Sequence, residues 1–317
     1  MKRRNFIAKT SKASAGLAIL GLYNCKSFSK EKTTSIIEIK SPLFFKISLA
    51  QWSLHRALRK NTIDNLDFAS KSRSFGCEGL EYVNGFFKDK AKNFSYLKEM
   101  NLRANSEGQK NVLIMIDGEG SLANPDAKQR LQAIENHYKW IEAAHFLGCH
   151  AIRVNLAGGI NKDDAIKDSI DSLSKLSEFA KGSNINVLVE NHGGFSSNGA
   201  WMKTVFNNIQ NKNCGTLPDF GNFCIKKDKD KNCIEDYDRY TGIQELLPFA
   251  KAVSAKSYDF DSNGNETTID YLKVMKMVKN SGYNSFVGIE FEGNNVSEEK
   301  GIELTRDLLI KVGNQLS

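Results

Sequence analysis

Short apolar runs recur along the chain from residue 46 onward, and segments with helical periodicity lie between them. The runs are rich in Val, Ile, Leu and Phe, which is typical of strands buried on both faces. They are KISLA (46–50), GLEYV (79–83), VLIMID (112–117), AIRVNLA (151–157), INVLVEN (185–191), CGTLPDF (214–220), VSAKSYDF (253–260) and FVGIEFEG (286–293). The segment AKQRLQAIENHYKWIEAAHFLG, between the third and fourth runs, is typical of an amphipathic helix. Its apolar face holds Leu131, Ile134, Tyr138, Ile141 and Ala144.

This alternation of strands and helices, with strands about 30 to 40 residues apart, predicts βα units and a parallel sheet. Eight such units are the number that closes into a (β/α)8 barrel. An open doubly wound sheet is the alternative fold, but no glycine-rich phosphate loop follows the first strand. The sequence therefore predicts one α/β domain, a (β/α)8 TIM barrel over residues 46–315.

The N-terminal residues differ from the rest of the chain. Residues 1–30 combine a basic start with the short apolar run AGLAILGL, which indicates a targeting segment rather than a stable transmembrane anchor. The stretch 3–7, RRNFI, resembles a twin-arginine export signal and so predicts a periplasmic protein; a disordered basic tail is the alternative. Cys25 in LYNC matches a lipoprotein cleavage site weakly. Residues 31–45 are a predicted linker.

The charge and composition change the functional picture little. Of the 317 residues, 40% are hydrophobic and 26% charged, and the formal net charge is +7. Lys and Arg are scattered along the helices beside Asp and Glu, which indicates a solvated, mildly basic surface rather than a nucleic-acid interface.

The six cysteines form no zinc-binding pattern, because the sequence has neither CxxC nor a Cys–His pair at zinc spacing. Cys77, Cys149 and Cys214 lie within or beside apolar strands, as small buried thiols do. Cys224 and Cys233 bracket a loop rich in lysine and aspartate, and in an oxidising compartment they could form a disulfide.

Polar residues follow or end every predicted strand. In a TIM barrel the interior is apolar and the active site lies at the C-terminal rim, so these side chains should meet. Buried charge is costly unless it is paired or bound to a metal, which makes eight polar tips in succession a predicted active site. The tips are Gln51 with Trp52, Glu81, Asp117, Arg153 with Asn155, Glu190 with His192, Asp219, Lys256, and Glu290 with Glu292.

Six stretches carry a resemblance to a known family: ISLAQWSLH, GLEYVN, WIEAAHFLGCHAIRVN, VLVENHGG, LPDFGN and VGIEFEG. They resemble the xylose isomerase-like barrels of the sugar phosphate isomerase/epimerase family, whose superfamily includes D-tagatose 3-epimerase and endonuclease IV. The resemblance covers residues 46–312. It implies a divalent metal, often manganese, held by a Glu, an Asp, a His and a second Glu. By position, Glu190, Asp219 and Glu290 match the three carboxylate ligands.

Two positions depart from the family pattern. Lys256 stands three residues before Asp259, where the family has its metal-binding His, and a protonated lysine is a poor ligand. Asn222 stands three residues after Asp219, where the family tends to have another His. Two interpretations remain open. Either the three carboxylates hold manganese or magnesium, with water or His192 completing the shell, or Lys256 supplies the positive charge itself.

The chemistry is similar in both cases. Removing a proton beside a carbonyl requires a base and a cation at the oxygen. Glu190 and Glu290 could flank a keto sugar, with Lys256 as a third catalytic residue. If one glutamate takes the proton and the other returns it to the opposite face, the enzyme is an isomerase or epimerase. A 3-keto-glycoside lyase and a non-catalytic periplasmic sugar-binding barrel are the alternatives.

The remaining tip residues are candidates for holding the sugar. Arg153, Asn155 and His192 would orient hydroxyl groups, and Trp52 would stack on the sugar face; Trp201 could either stack or belong to the core. Glu81 and Asp117 could alternatively neutralise Arg153 or neighbouring lysines. The predicted substrate-binding residues are Trp52, Glu81, Arg153, Asn155, His192 and Asn222.

The partners are predicted from the same residues. Only Arg153 and Lys256 are basic among the tips, which favours an uncharged keto sugar. The nuclease branch of the superfamily depends on a histidine-rich site with several metals, whereas this chain has five histidines in total. We therefore expect a small-molecule sugar substrate and no nucleic acid. Homo-oligomerisation remains open.

Overall fold

The computed structural model describes residues 42–317. The predicted signal segment, including residues 3–7 and Cys25, lies outside the described residues, as does most of the predicted linker. The strands are β1 (Lys46–Ala50), β2 (Gly79–Val83), β3 (Lys110–Met115), β4 (Ala151–Val154), β5 (Asn186–Glu190), β6 (Cys214–Leu217), β7 (Cys224–Lys227), β8 (Cys233–Asp236), β9 (Val253–Ser257) and β10 (Phe286–Phe291). The α-helices are α1 (His55–Arg59), α2 (Phe68–Ser74), α3 (Phe94–Ser106), α4 (Ala127–Leu147), α5 (Lys162–Lys181), α6 (Gly199–Asn207), α7 (Arg239–Leu246), α8 (Tyr271–Asn280) and α9 (Glu298–Leu316).

Eight strands form a parallel sheet in the order β6-β5-β4-β3-β2-β1-β10-β9. The first strand pairs with both β2 and β10, as a closed sheet requires. The edge strands β6 and β9 meet through parallel bridges between Thr216 and Ala250 and between Asp219 and Ser254. Helices follow the strands along the chain, and the result is a (β/α)8 barrel. The predicted fold class is confirmed.

The junction between β6 and β9 is paired by single bridges rather than by a continuous ladder. Pro218 follows the last residue of β6, and a proline has no N–H to donate to a neighbouring strand. Its carbonyl still accepts a hydrogen bond from the Ser254 backbone N–H at 3.0 Å. The run 214–220 was expected to be strand throughout, but the strand ends at Leu217 for this reason.

The strands β7 and β8 form an antiparallel hairpin between β6 and α7. A disulfide joins Cys224 to Cys233 across it, whereas Cys77, Cys149 and Cys214 are free thiols. The sequence pattern predicted only a loop here, because the hairpin has few apolar residues and is largely exposed. An isolated two-stranded hairpin is marginally stable, so the disulfide supplies a constraint that apolar packing does not.

Helix α4 packs on the barrel through a face close to the predicted one. Ile134, Ile141 and Ala144 are buried as expected, together with Trp140. Leu131 is 47% exposed, so its predicted burial is wrong. A helix has 3.6 residues per turn, so the angle at which this 21-residue helix lies on the sheet decides which of its residues are buried. Position 131 falls outside the buried face. Among the described helices, none combines the length and the apolarity needed to cross a membrane.

Apolar side chains fill the barrel interior beneath the rim. Because side chains alternate along a strand, Leu188 faces the same side as Glu190, and Ala151 the same side as Arg153. The charged residues therefore stand above an apolar floor. The buried residues of this floor are Ala50, Val83, Val112, Leu113, Met115, Ala151, Leu188, Leu217 and Ala252.

Candidate active site

Most of the charged residues predicted at the strand tips are buried at one end of the barrel, whereas Asp117 and Glu292 are partly exposed. Glu190 and Asp219 are fully buried, and Lys256, Arg153 and Glu290 are at most 4% exposed. The backbone register places Glu290 directly beside Lys256, on adjacent strands. Such burial is tolerated only where opposite charges meet, so the contacts among these groups define the site.

Lys256 holds one half of the site. Its Nζ donates hydrogen bonds to Glu290 Oε1 at 2.8 Å and to Glu292 Oε2 at 3.1 Å. The same Nζ lies 3.9 Å from Asp219 Oδ2. The ammonium group therefore contacts three carboxylates at once.

Ser254 lies two residues before Lys256 on β9 and faces the same side. Its Oγ lies 2.7 Å from Asp219 Oδ2 and 2.8 Å from Glu290 Oε2. A hydroxyl group has one proton to donate, so it links the two carboxylates but fully satisfies only one of them at a time.

Arg153 holds the other half of the site. Its Nη1 donates a hydrogen bond to Asp117 Oδ1 at 2.7 Å. Its Nε lies 2.7 Å from Glu190 Oε2, a close ion pair whose angle does not meet hydrogen-bond geometry. Asn155 Nδ2 also donates to Asp117 Oδ1, at 2.8 Å, and leaves its own Oδ1 without a hydrogen-bond partner in the described structure.

The turn after β6 fixes Asp219 and reaches Glu190. Asp219 Oδ1 accepts hydrogen bonds from the backbone N–H groups of Gly221 and Asn222 at 2.8 and 2.9 Å. Asn222 Nδ2 donates to Glu190 Oε1 at 3.0 Å. Asn191 holds the turn from the neighbouring strand, since its Oδ1 accepts the Asp219 N–H at 2.7 Å. Asn222 thus orients a catalytic candidate from the position predicted to bind substrate.

Burial and neighbouring charges shift the pKa values of Glu190 and Glu290 in opposite directions. Burial raises the pKa of Glu190 to about 7, although Arg153 opposes the shift. Burial likewise raises the pKa of Asp219 to about 7 against the attraction of Lys256. Burial also acts against ionisation of Glu290, but Lys256 and Ser254 outweigh it and its pKa is lowered. Of these three carboxyl groups, Glu290 is therefore the most readily ionised near neutral pH.

The two cations stay protonated. Burial disfavours the ammonium form of Lys256, but the attraction of Asp219, Glu290 and Glu292 exceeds that penalty and its pKa is raised. The pKa of Arg153 is raised in the same way by Asp117 and Glu190.

Glu190, Asp219 and Glu290 each offer an oxygen within 4.8 Å of the other two. They are the three residues that the family resemblance assigns as metal ligands. Carboxylate oxygens suit a hard divalent ion such as Mg²⁺ or Mn²⁺. Glu190 Oε2 is buried beside Arg153 Nε but accepts no well-aligned hydrogen bond, so this oxygen keeps a lone pair that a metal ion could use. The group could therefore hold a metal ion.

Glu81 lies apart from both cations. Its Oε1 accepts a hydrogen bond from Ser48 Oγ at 2.5 Å, and its Oε2 has no partner in the described structure. A Cβ at Gly288 would lie 2.5 Å from both carboxyl oxygens, so the glycine makes room for this side chain. Burial raises the pKa of Glu81 to about 8, which keeps it neutral near pH 7. The alternative that Glu81 pairs with Arg153 is wrong, whereas Asp117 does form that pair.

The aromatic candidates have different environments. Trp52 is half-buried at the rim, where its Nε1 donates a hydrogen bond to Glu292 and its ring stacks on His55. His192 is exposed beside the site. Trp201 is 2% exposed and donates to the Lys162 carbonyl, so it belongs to the core and does not stack on a ligand.

Three polar residues that shape the site are not among the predicted site residues: Ser48, Asn191 and Ser254. Glu292 was recognised only as a tip residue, without a role. Ser254 could have been found from strand periodicity, because it lies two residues before Lys256. Ser48 could not, since Ala50, two residues later on β1, is apolar and marks no site on that face.

Comparison with known proteins agrees with the barrel fold. The model of the family described as "Xylose isomerase-like TIM barrel" matches residues 69–312. None of the curated proteins matches the sequence. Solved structures with the same fold include a D-tagatose 3-epimerase-like protein, with a TM-score of 0.64 and 17% identity, covering 86% of this chain and 99% of that one.

Two further structures are similar to the chain. The 3-keto-D-glucoside 4-epimerase from E. coli has a TM-score of 0.61 and 15% identity, covering 78% of this chain and 94% of that one. A xylose isomerase-like TIM barrel protein from Mycobacterium smegmatis, in complex with magnesium, has a TM-score of 0.63 and 13% identity, covering 85% of this chain and 97% of that one. At these identities the structures support the fold, and the family match covers most of the sequence. The chain therefore belongs to the xylose isomerase-like TIM barrel family.

Proposed function

We propose that this protein is a sugar isomerase or epimerase that removes a proton from the carbon beside the carbonyl of a keto sugar. The observation that carries the proposal is the pair of buried glutamates, Glu190 and Glu290, each in contact with its own buried cation. Paired carboxylates with separated pKa values are suited to acid and base roles in one reaction. The similar structures named for epimerases of tagatose and of 3-keto-glucosides support the same class.

In the proposed reaction Glu290 is the base, because Lys256 keeps it ionised. It takes the proton from the carbon, the C–H electron pair forms a C=C bond, and the carbonyl oxygen becomes an enediolate oxygen. Lys256 donates a hydrogen bond to that oxygen. Protonated Glu190 then donates its proton to the opposite face, and the carbonyl re-forms. Proton exchange with solvent restores both glutamates.

Glu190, Asp219 and Glu290 would hold manganese or magnesium in this site. A bound divalent ion supplies positive charge that polarises the substrate carbonyl. Asn222 and Ser254 orient the three carboxylates whether or not the ion is bound.

The substrate is proposed to be an uncharged keto sugar. Arg153 and Lys256 are already paired with carboxylates, so neither of these two buried cations is free to bind a phosphate group. The half-buried Trp52 ring lies at the rim against His55 and Arg59, where its exposed part could contact a sugar. The unpartnered Asn155 Oδ1 can accept a hydrogen bond from a hydroxyl group. His192 is exposed beside them and could contact the same ligand.

Hydrogen–deuterium exchange tests the reaction. In D₂O, the wild-type protein should exchange the hydrogen beside the carbonyl of D-tagatose, D-psicose or a 3-keto-D-glucoside, as followed by NMR. Glu190→Gln and Glu290→Gln should each slow product formation at least about a hundredfold. Glu142→Gln, at an exposed position on α4, is the matched control.

The product distinguishes the alternatives. An epimer or isomer supports the proposal. Loss of a substituent from the β-carbon would assign a 3-keto-glycoside lyase instead. Binding of these sugars without exchange would favour a non-catalytic sugar-binding barrel.

We also propose that the protein is exported to the periplasm in a folded state. The support is the RRNFI stretch at 3–7 together with the disulfide between Cys224 and Cys233, since structural disulfides are typical of oxidising compartments. A double variant with Arg3→Lys and Arg4→Lys should leave the precursor in the cytoplasm. Unchanged export of that variant would exclude the twin-arginine route.

A further inference from the structure

Lys256 occupies the same carboxylates that a metal ion would use. Its Nζ lies 2.8 Å from Glu290 and 3.9 Å from Asp219, two of the three oxygen donors of the candidate metal group. A cation bound among these donors would share Glu290 with the ammonium group. Lys256 is therefore a cation beside these two donors before any ion enters, in addition to Arg153 beside Glu190.

Neighbouring residues hold both the aliphatic stem and the backbone of Lys256 in place. A Cβ at Gly221 would lie 2.6 Å from Lys256 Cγ, so the glycine leaves room for the aliphatic stem. Tyr271 Oη donates a hydrogen bond to the Lys256 carbonyl at 2.8 Å, which fixes the backbone below it. Lys256 is 1% exposed. Because both its stem and its backbone are held, the ammonium group cannot move into solvent without disturbing its neighbours.

The charges then oppose a second cation. Like charges that share a carboxylate repel each other, and a divalent ion doubles the interaction relative to a monovalent one. The other carboxylate in contact with Lys256, Glu292, offsets part of this repulsion.

We propose that Lys256 is a built-in competitor of the divalent metal: it lowers the metal affinity of the Glu190–Asp219–Glu290 group and serves as the resident cation when the metal is absent. The inference rests on the proposed function in placing the reaction at these carboxylates. Its test requires no substrate, so it can fail while the sugar reaction is confirmed, or hold while that reaction is refuted.

The test is a titration of Mn²⁺ into purified variants by calorimetry, paired with the metal-induced rise in Tm. Lys256→Gln keeps a hydrogen-bond donor but removes the charge, and Lys256→Met removes both. Each should bind Mn²⁺ at least about tenfold more tightly than wild type and show a larger rise in Tm. Lys110→Met, at the exposed start of β3, is the matched control and should behave as wild type.

A second substitution locates the effect. Adding Asp219→Ala to Lys256→Gln should abolish the gain in affinity, because it removes one of the three oxygen donors. Equal or weaker Mn²⁺ binding in both Lys256 variants would overturn the proposal, as would a gain that survives Asp219→Ala. Melting curves without metal show that each variant is folded before its affinity is interpreted.

Discussion

Arg153 and Lys256 are both buried cations at strand tips, yet they organise their halves of the site differently. Arg153 contacts Asp117 and Glu190 through different guanidinium nitrogens, so one planar group fixes the side chains of two other segments. Lys256 presents one ammonium group that is shared among Asp219, Glu290 and Glu292. A point charge with rotatable donors can redirect its hydrogen bonds, whereas a planar fork cannot without losing one of them.

We therefore expect the two halves of the site to have different roles. In the Arg153 half, the planar guanidinium group holds Asp117 and Glu190 together, and its main effect is on the position of Glu190. In the proposed reaction, the ammonium group of Lys256 donates a hydrogen bond to the substrate oxygen on which negative charge develops, and it would share its carboxylates with a bound metal. Substitutions in the two halves should therefore change different measurable quantities.

The largest effect is expected for stability in the Arg153 half. Arg153→Met leaves Asp117 and Glu190 without their cation, and breaking a buried ion pair from one side costs about 3 to 5 kcal/mol. Urea unfolding should show this loss in the free energy of unfolding. A loss below about 1 kcal/mol would contradict this role of Arg153, and Arg73→Met at an exposed position on α2 serves as the control.

In the Lys256 half the expected loss is catalytic. Lys256→Met should lower kcat by about a hundredfold or more with little change in KM, because the hydrogen bond to the enediolate oxygen exists only after the proton has been removed. The rate of deuterium exchange beside the carbonyl reports this step directly. Exchange as fast as in wild type would show that Lys256 does not stabilise the enediolate and acts as a counter-ion only.

Glu81 sharpens the comparison, since it is a buried carboxyl group with neither cation in contact. Its pKa is raised to about 8 from an ordinary 4.5, so the folded state holds the proton more tightly than the unfolded state does. The stabilisation is complete below about pH 4.5 and is lost as the pH rises towards 8. Between pH 6 and 8, wild type should lose about 2 kcal/mol relative to Glu81→Gln. Urea unfolding at both pH values measures this, and parallel curves would show that Glu81 does not titrate there.

The sequence predicted the barrel well because strand burial and helical periodicity act locally. It also placed Glu190, Asp219, Lys256 and Glu290 at one rim, since parallel strands deliver their C-terminal ends to the same side. The hairpin of β7 and β8 was missed because a disulfide, rather than an apolar pattern, constrains it.

The pairing of charges could not be read from the sequence. Which carboxylate meets Arg153 depends on how the strand tips and the loops beyond them are placed, and Glu81 and Asp117 were equal candidates until the structure separated them. Exposure of Leu131 and burial of Trp201 likewise follow from how their helices lie on the sheet. Such outcomes depend on tertiary packing, which strand and helix periods do not encode.

The sparse bridges between β6 and β9 have a consequence for local opening of the native protein. A sheet edge joined at separate points exposes its amide hydrogens to solvent exchange more readily than a full ladder does, so opening should begin there. Asp219 lies on one side of this junction, and Ser254 and Lys256 lie on the other. The side-chain contacts of the candidate active site thus join β6 and β9 where their backbone pairing is sparse. Any protection of the junction amides from exchange would therefore depend on the same side chains as the proposed reaction.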